Sequence, residues 1–300
     1  MANINNKGAV AKDKTEKFVM YVAEILAVIL LLMCLLPCLH VLATAFSSGS
    51  AEVSGRIGIW PVNFQIEGIK TIINGTFFGR ALLNSLCVTA LGVVVSMFVT
   101  ILFAYPMSKK DLRGRKFLTL LCIVSMVFKG GMVPDYLVMK SLKLLNSWWA
   151  LILPFAMTIF NMLLIKNYFE GLPESVMESS TIDGAGDMRT LFSIVIPMSA
   201  PVIATVCLLY AISYWNNYFH VILYITEPSL RTLQVFLRDL LADVGTVMDQ
   251  LDRSPETAGL VSAGVVTAGV TVLGVVPILA VYPFVQRFLV QGITIGSEKG

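Results

Sequence analysis

Six long apolar stretches, separated by shorter polar segments, organise this chain of 300 residues. An α-helix needs roughly 20 apolar residues to cross the hydrocarbon core of a bilayer. The pattern therefore predicts an all-α polytopic membrane protein with six transmembrane helices. The predicted spans are Phe18–His40, Leu83–Met107, Phe117–Met139, Trp148–Lys166, Met198–Ile225 and Leu260–Gln286.

Basic residues beside these stretches predict which ends face the cytoplasm. Four lysines precede the first span, and five basic residues lie between the second and the third. Short loops rich in lysine and arginine stay on the cytoplasmic side, so six spans place both termini inside. The predicted divisions are an N-terminal tail at 1–17, a membrane domain at 18–290 and a C-terminal tail at 291–300, with a cytoplasmic loop at 170–197 and outer loops at 46–82 and 226–258.

A secretory signal peptide is the alternative interpretation of the first apolar stretch. Ala43-Thr44-Ala45 follows that stretch and resembles a cleavage site. The apolar core of a signal peptide usually has about 7–15 residues. The stretch here is longer, which favours a membrane anchor that is retained.

Composition agrees with a membrane protein and excludes several other classes. Hydrophobic residues make up 56% of the chain and charged residues only 14%, against about 25% charged in soluble domains. The formal net charge is +3, and the basic residues lie beside the spans, so no nucleic-acid partner is predicted. All five cysteines fall in apolar stretches, where neither a disulfide framework nor a metal site is expected.

The sequence also lacks the motifs of an enzyme. It contains no G-x4-G-K-[ST] phosphate loop, so we expect no ATP or other cofactor to be bound by this chain. H-E-x-x-H and G-x-S-x-G are absent too, and His40 and His220 lie near the outer ends of spans. We predict that the protein is not an enzyme and that any ATP-derived energy it uses comes from another subunit.

The cytoplasmic loop predicts a compact pair of short helices. Pro173 suits the first helical position, and a helix is expected through Ile182. The sequence Asp183-Gly184-Ala185-Gly186 then interrupts it, because glycine accepts a positive φ. Asp187 is expected to cap a second helix that carries Met188, Leu191 and Phe192 on one side. Such an apolar tip needs a groove on a partner; the alternative is a helix pair lying on lipid.

The same loop resembles the cytoplasmic coupling loop of ATP-binding-cassette (ABC) import permeases. Glu178-Ser179-Ser180, Gly184, Ile194, Ile196 and Pro197 match the pattern E-A-A-x3-G-x9-I-x-L-P, with serines for both alanines and isoleucine for leucine. The resemblance implies that this loop docks on a separate ATPase. The coupling candidates are Glu178, Ser179, Ser180, Asp183, Gly184, Ala185, Met188, Phe192 and Pro197.

The resemblance extends over nearly the whole chain, to carbohydrate permeases of the maltose-permease class, most of all those for oligosaccharides or polysaccharide fragments. It implies a type I ABC importer permease fold in the cell membrane. It also implies a heteromer with a homologous permease, two ATPases that bind ATP and Mg, and an extracellular lipoprotein that delivers an oligosaccharide. Further matching segments are Asn84-Ser85, Ala104-Tyr105-Pro106, Gly114-Arg115-Lys116, Gly130 to Pro134, Trp149 to Pro154, Trp215-Asn216 and Gly292 to Gly296.

Polar residues inside the spans are the candidates for a substrate pathway. Lys129 lies in the third span beside two glycines, where it either faces a cavity or snorkels to the interface. The fifth span combines amides with aromatic rings, which suit the edges and faces of a sugar; an interfacial aromatic belt is the alternative. The candidates are Lys129, Asn161, Tyr214, Trp215, Asn216, Asn217 and Tyr218.

The second outer loop is charged and contains a helix-like stretch with Leu237, Leu240 and Leu241 on one side. It has no obvious partner within the chain, and the resemblance implies contact with the binding protein. The alternative is that the loop only rests on the ends of the spans. The contact candidates are Arg238, Asp239, Asp243 and Gly245.

Two other functions are considered beside the ABC import permease. A self-sufficient secondary transporter or channel often has internal repeats or intramembrane ion sites, and neither is evident here. An amino-acid or peptide permease would share the coupling loop, but the segments that resemble carbohydrate permeases argue against it.

Overall fold

The computed structural model describes residues 14–74, 78–128, 130–182, 184–243, 245 and 261–297. Within these residues the chain forms helices and turns and no strand, which confirms the predicted all-α class. Clustering of contacts divides the chain into two compact units, one of residues 1–69 with 244–272 and the other of 70–243 with 273–300.

The first unit contains the long N-terminal helix α1, Lys14–Ala45. In the most apolar 18-residue stretch of this helix, no residue is buried. This is expected for a helix that faces lipid or another subunit. At its end, Ala45 packs with Ala268 and Val272. The helix starts inside the predicted N-terminal tail, because hydropathy marks the part that fits hydrocarbon and not the full helix.

The core of the second unit forms around α4, Phe78–Ser108, and α12, Ala200–Trp215. Two pairs of hydroxyls join these helices. Those of Thr100 and Tyr210 are 2.7 Å apart, and those of Ser96 and Tyr214 are 2.8 Å apart. Both pairs are buried, so each hydroxyl is satisfied where an unpaired one would be costly. The paired residues are four positions apart on each helix and pair in opposite order, so α4 and α12 run antiparallel. Each successive helical turn in this region contributes one hydroxyl pair.

Close approach in this core depends on Gly92 of α4. A Cβ atom built at Gly92 would lie 2.7 Å from the ring of Tyr214, nearer than real Cβ contacts allow. The Tyr214 hydroxyl also donates a hydrogen bond to the carbonyl oxygen of Ile152 at 3.2 Å. The ring is therefore held against the glycine by bonds at its far end.

Three of the predicted spans contain a bend or a break, a feature that the apolar pattern did not predict. The third breaks near Gly131, which has a φ of +93°. The fourth bends by 49° where a 3₁₀ turn at Leu153–Phe155 ends, next to Pro154, whose ring cannot continue regular helix hydrogen bonding. In the fifth predicted span, helix α12 ends at Trp215 and a second helix, α13, spans Phe219–Tyr224. In the part of the chain that the structure describes, three helices are long and apolar enough to cross a membrane, or up to six if each bent pair counts as one span.

The last helix and the second span are longer than predicted. The C-terminal helix runs through Ser297, so most of the predicted tail at 291–300 is helical. Helix α4 starts five residues before the predicted Leu83, which shortens the first outer loop. The remaining helices are α2 Gly49–Val53, α3 Glu67–Asn74, α5 Arg115–Val127, α6 Met132–Ser141, α7 Trp148–Ile152, α8 Ile159–Glu170, α9 Glu174–Ile182, α10 Asp187–Thr190, α11 Ile196–Met198, α13 Phe219–Tyr224, α14 Leu233–Ala242 and α15 Ala263–Ser297.

Candidate functional site

The loop predicted to be cytoplasmic forms a compact projection, which we name the knob: α9, the turn after it, α10, and the π-helix Leu191–Val195 that continues α10. The predicted helix before the turn is confirmed, and Gly184 has a φ of +70°. The backbone N–H of Ala185 donates to the carbonyl oxygen of Ser180 at 3.0 Å, the six-residue closure that ends many helices at a glycine. Gly184 is therefore the residue that turns the chain.

The second half of the knob differs from its prediction in two ways. Gly186, not Asp187, is the N-cap residue, and no side chain caps this helix. Asp187 instead occupies the first helical position, where a carboxylate still suits the helix dipole, and it lies 3.8 Å from the ammonium of Lys109. The α-helix is only one turn long because it continues as a π-helix at Leu191–Val195.

A buried hydrogen bond ties the two halves of the knob together. The hydroxyl oxygens of Ser180 and Thr190 are 2.6 Å apart, and both residues are buried. Ser180 is one of the serines that replace alanine in the motif, so this chain holds the turn with a polar contact that alanine cannot make. The Asp183 position and the side chain of Ser179 lie outside the described residues.

The tip of the knob exposes an apolar patch. Ile182, Met188 and Phe192 have exposed fractions of 84%, 62% and 53%. Leu191 is fully buried, so the prediction that it shares a side with Met188 and Phe192 was wrong. Positions 188 and 192 are one turn apart and face outward, whereas 191 points into the core. Three large apolar side chains together on a surface are characteristic of a docking site. Of the remaining coupling candidates, Glu178 and Pro197 are exposed and Ala185 is half-buried.

An ion cluster at the end of α8 was missed by sequence reasoning. The carboxylate of Glu170 accepts from the guanidinium of Arg115 and lies 2.8 Å from the ammonium of Lys166. The cluster joins the start of α5 to the end of α8. Lys166 and Glu170 stand four residues apart, a spacing that brings side chains together on a helix, and this was the available signal.

The predicted pathway residues divide between the core and the surface. Tyr214 is buried with its hydroxyl bonded inside the unit, so we assign it to packing and not to the pathway. Asn161 is also buried. Tyr218 is 51% exposed. Lys129 lies outside the described residues.

The break between α12 and α13 places amides at irregular backbone. The Asn216 side chain donates to the carbonyl oxygen of Ile212 at 3.0 Å, and the Asn217 side-chain oxygen lies 2.8 Å from Nδ1 of His220. Within the described residues, the indole nitrogen of Trp215 is buried without a hydrogen-bond partner. Irregular backbone at membrane depth is tolerated where it is covered by protein or lines a water-filled cavity.

The described part of the second outer loop, Thr226–Asp243, does have partners within the chain, contrary to the prediction. The amide of Asn84 donates to the carbonyl oxygens of Ser229 and Arg231 at 2.9 and 3.0 Å. The hydroxyl of Ser85 accepts from the backbone N–H of Leu233 at 2.8 Å. This segment is seated on the start of α4, as the alternative interpretation expected, and the Asn84-Ser85 pair seen in the sequence is what holds it.

The leucine face of α14 was only partly predicted. Leu237 is buried and Leu240 half-buried, but Leu241 is 43% exposed, and Leu233 and Val235 complete the buried side. The helix packs at its N-terminal end, where Asn84 and Ser85 hold it, so its C-terminal leucine turns outward.

The charges of α14 are shared between internal pairs and the surface. Asp239 lies 2.7 Å from the guanidinium of Arg231 and 3.3 Å from that of Arg238. The Arg238 side chain is 58% exposed, and Asp243 and Gly245 are exposed too. Asp239 is therefore paired within the loop, and Arg238, Asp243 and Gly245 are the contact candidates that are exposed.

Asn146 is a second residue that the sequence did not single out. Its side-chain oxygen accepts from the backbone N–H groups of Thr226 and Glu227 at 2.7 and 3.1 Å. Its φ is +54°, which asparagine tolerates better than most residues. One side chain therefore connects the turn before α7 to the start of the second outer loop.

Comparison with known proteins places these features in a family. A family model described as "binding-protein-dependent transport system inner membrane component" matches residues 75–295. The polygalacturonan/rhamnogalacturonan transport system permease protein YtcP of Bacillus subtilis (strain 168) is 38% identical over 279 residues, which is 90% of this chain and 94% of that protein. Protein LplC of the same organism is 40% identical over 272 residues, 89% of this chain and 90% of that protein.

A solved structure is similar over the same extent. It is the crystal structure of a bacterial ABC transporter involved in the import of the acidic polysaccharide alginate. One chain of it is 31% identical, covers 91% of this chain and 97% of its own length, and superimposes with a TM-score of 0.83.

Proposed function

The chain belongs to the family of binding-protein-dependent transport system inner membrane components, and we propose that it is the permease subunit of an ATP-driven oligosaccharide importer. It has the fold of an ABC importer permease. We further propose that it forms half of the translocation pathway, beside a homologous permease, above two ATPases, with both termini in the cytoplasm. Family membership decides against a self-sufficient transporter or channel.

The knob is the observation that carries this proposal. It presents Ile182, Met188 and Phe192 to the surface around the turn at Gly184. The chain has no phosphate loop of its own, so an exposed apolar patch on the predicted cytoplasmic side is suited to receive force from an ATPase. The hydrogen bond between Ser180 and Thr190 keeps the two short helices in one arrangement, as a part that transmits force requires.

The proposed substrate is an acidic oligosaccharide. Two similar proteins carry names or descriptions of acidic polysaccharides, polygalacturonan/rhamnogalacturonan and alginate. In this chain, the exposed amide of Asn216 and ring of Tyr218 supply the two surfaces that sugars need. Lys129 remains a sequence-based prediction, with an ammonium suited to a uronate carboxylate.

Reconstitution tests the proposed function directly. In proteoliposomes that contain this chain with its partner permease and ATPase, import should require ATP on the ATPase side and the binding protein on the other. Oligogalacturonides should be imported, and neutral malto-oligosaccharides of equal length should not. Uptake that persists without ATP would contradict an ATP-driven importer. Equal uptake of the neutral sugar would contradict only the acidic substrate.

The second outer loop should contact the binding protein during delivery. A photoreactive amino acid introduced at Asp243 or Gly245, both exposed, should crosslink to that protein in intact cells. The matched control is Arg113, equally exposed but in the basic loop predicted to be cytoplasmic, where no crosslink is expected. If Asp243 and Gly245 both fail while transport continues, the loop only covers the spans.

A further inference from the structure

A basic cleft opens where α5 begins and α8 ends. Its volume is about 710 Å³, and Lys110, Arg115, Lys116 and Lys166 contribute to its walls. Glu170 pairs with two of these cations, Arg115 and Lys166. Even when Lys110 is left out, Arg115, Lys116 and Lys166 outnumber that one carboxylate, which leaves an excess of positive charge in a concave site. Asp111 adjoins Lys110 in the chain but does not line the cleft.

Burial makes this charge more than a solvated surface patch. The Lys166 side chain is only 8% exposed and that of Arg115 only 26%. Charges removed from water interact more strongly with an incoming ion than exposed ones do. Because Glu170 is shared by two cations, an additional anion in the cleft would complete their neutralisation.

The start of α5 adds backbone donors to the same cleft. Gly114, which lines the cleft, is the N-cap residue, with a φ of +80° and no side chain to cap the helix. The backbone N–H of Arg115 donates to the carbonyl oxygen of Leu112 at 3.2 Å, whereas the N–H groups of Lys116 and Phe117 lack partners within the helix and favour an anion. A phosphate, with several acceptor oxygens, suits a site that combines a guanidinium, ammonium groups and a helix N-terminus.

An apolar track leads away from the basic end. Leu120 and Ile123 also line the cleft and are 58% and 44% exposed. They follow Lys116 by four and seven residues, so the three lie along one stripe of α5. The stripe passes from the predicted cytoplasmic boundary into the third predicted span. A ligand that fits both parts has an anionic head and a hydrocarbon tail.

We infer that this cleft binds an anionic phospholipid of the cytoplasmic leaflet, with its phosphate among the basic side chains and an acyl chain along Leu120 and Ile123. None of the residues that line the cleft belongs to the knob or to the candidates for the sugar pathway. Nothing in it depends on the substrate, so failure of the proposed function would leave it standing.

Native mass spectrometry of the assembled transporter tests the inference, with phosphatidylglycerol and phosphatidylcholine added in equal amounts. The wild type should retain phosphatidylglycerol in preference. Lys116→Gln should weaken this retention about fivefold, since a basic residue near an anionic membrane contributes about that factor. Arg113→Gln is the matched control, because Arg113 belongs to the same loop and is exposed but does not line the cleft.

Three results would overturn the lipid assignment. A wild-type transporter that retains no phosphatidylglycerol would show that the cleft is covered or empty in the assembly. An equal loss of phosphatidylglycerol retention in Arg113→Gln would mean that the general surface charge of the loop, and not the cleft, attracts the lipid. Displacement of the lipid by inorganic phosphate at the same concentration would mean that the cleft takes a free anion and that the apolar track contributes nothing.

Discussion

Gly184→Val should abolish uptake while the protein remains in the membrane. A Cβ atom at this position would meet no atom within 4 Å, but the backbone φ of +70° is strongly disfavoured for a β-branched residue. Strain of this kind costs about 1–3 kcal/mol, which lowers the ratio of native to altered knob by about fivefold or more. Uptake and co-purification of the ATPase are the two measurements, and both should fall.

Gly186 offers a matched control two residues away. It too has open space around its Cβ position, but its φ is −70°, which any residue adopts. Threonine has the shape of valine and ranks with glycine as an N-cap residue. Gly186→Thr should therefore transport normally. Normal transport by Gly184→Val as well would remove the basis for assigning this loop to coupling.

Gly92→Leu should prevent assembly of the transporter. The new side chain would occupy the space of the Tyr214 ring, which lies 2.7 Å from the Cβ position and is held by its hydroxyl. Overpacking typically costs about 1–3 kcal/mol, and each buried hydroxyl left unpaired adds about 1–3 kcal/mol. The amount of complex recovered from membranes and its melting temperature should both drop, with Gly92→Ala intermediate.

Gly79 of the same helix provides the comparison. No atom lies within 4 Å of its Cβ position, so Gly79→Leu should assemble normally and gain slightly from better helix propensity. On a Tyr214→Leu background, the loss caused by Gly92→Ala should shrink, because the clashing ring is gone. An undiminished loss would mean that Gly92 acts through something other than this contact.

The parts of this structure that sequence predicted well are those determined by neighbouring residues. Apolar runs long enough to cross a bilayer identified the three long helices α1, α4 and α15. Pro173 and Gly184 located the start of α9 and the turn after it, since a fixed ring and a missing Cβ act on the backbone where they stand. The ABC permease family followed from the same local segments, and the comparisons confirmed it.

The parts that were missed depend on residues far apart in sequence or on backbone geometry. Hydropathy counts apolar atoms, so it does not register the breaks at Gly131 or after Trp215. Asn84 holds carbonyl oxygens 145 and 147 residues away, a separation that no periodicity reveals. Tyr214 looked like a sugar ligand because its neighbours are polar, whereas only packing shows that its hydroxyl faces Ser96.

The hydroxyl pairs between α4 and α12 also limit how the protein can move. Thr100 with Tyr210 and Ser96 with Tyr214 repeat once per turn. Sliding one helix along the other by part of a turn, whose length is about 5.4 Å, would therefore break both pairs together. The two helices should therefore travel as one rigid body during alternating access. The chain bends by 84° just before α12 begins, and α12 ends at Trp215 with Asn216 as its C-cap residue. If the knob couples to an ATPase as proposed, these two boundaries are the places where hinges can absorb the resulting motion.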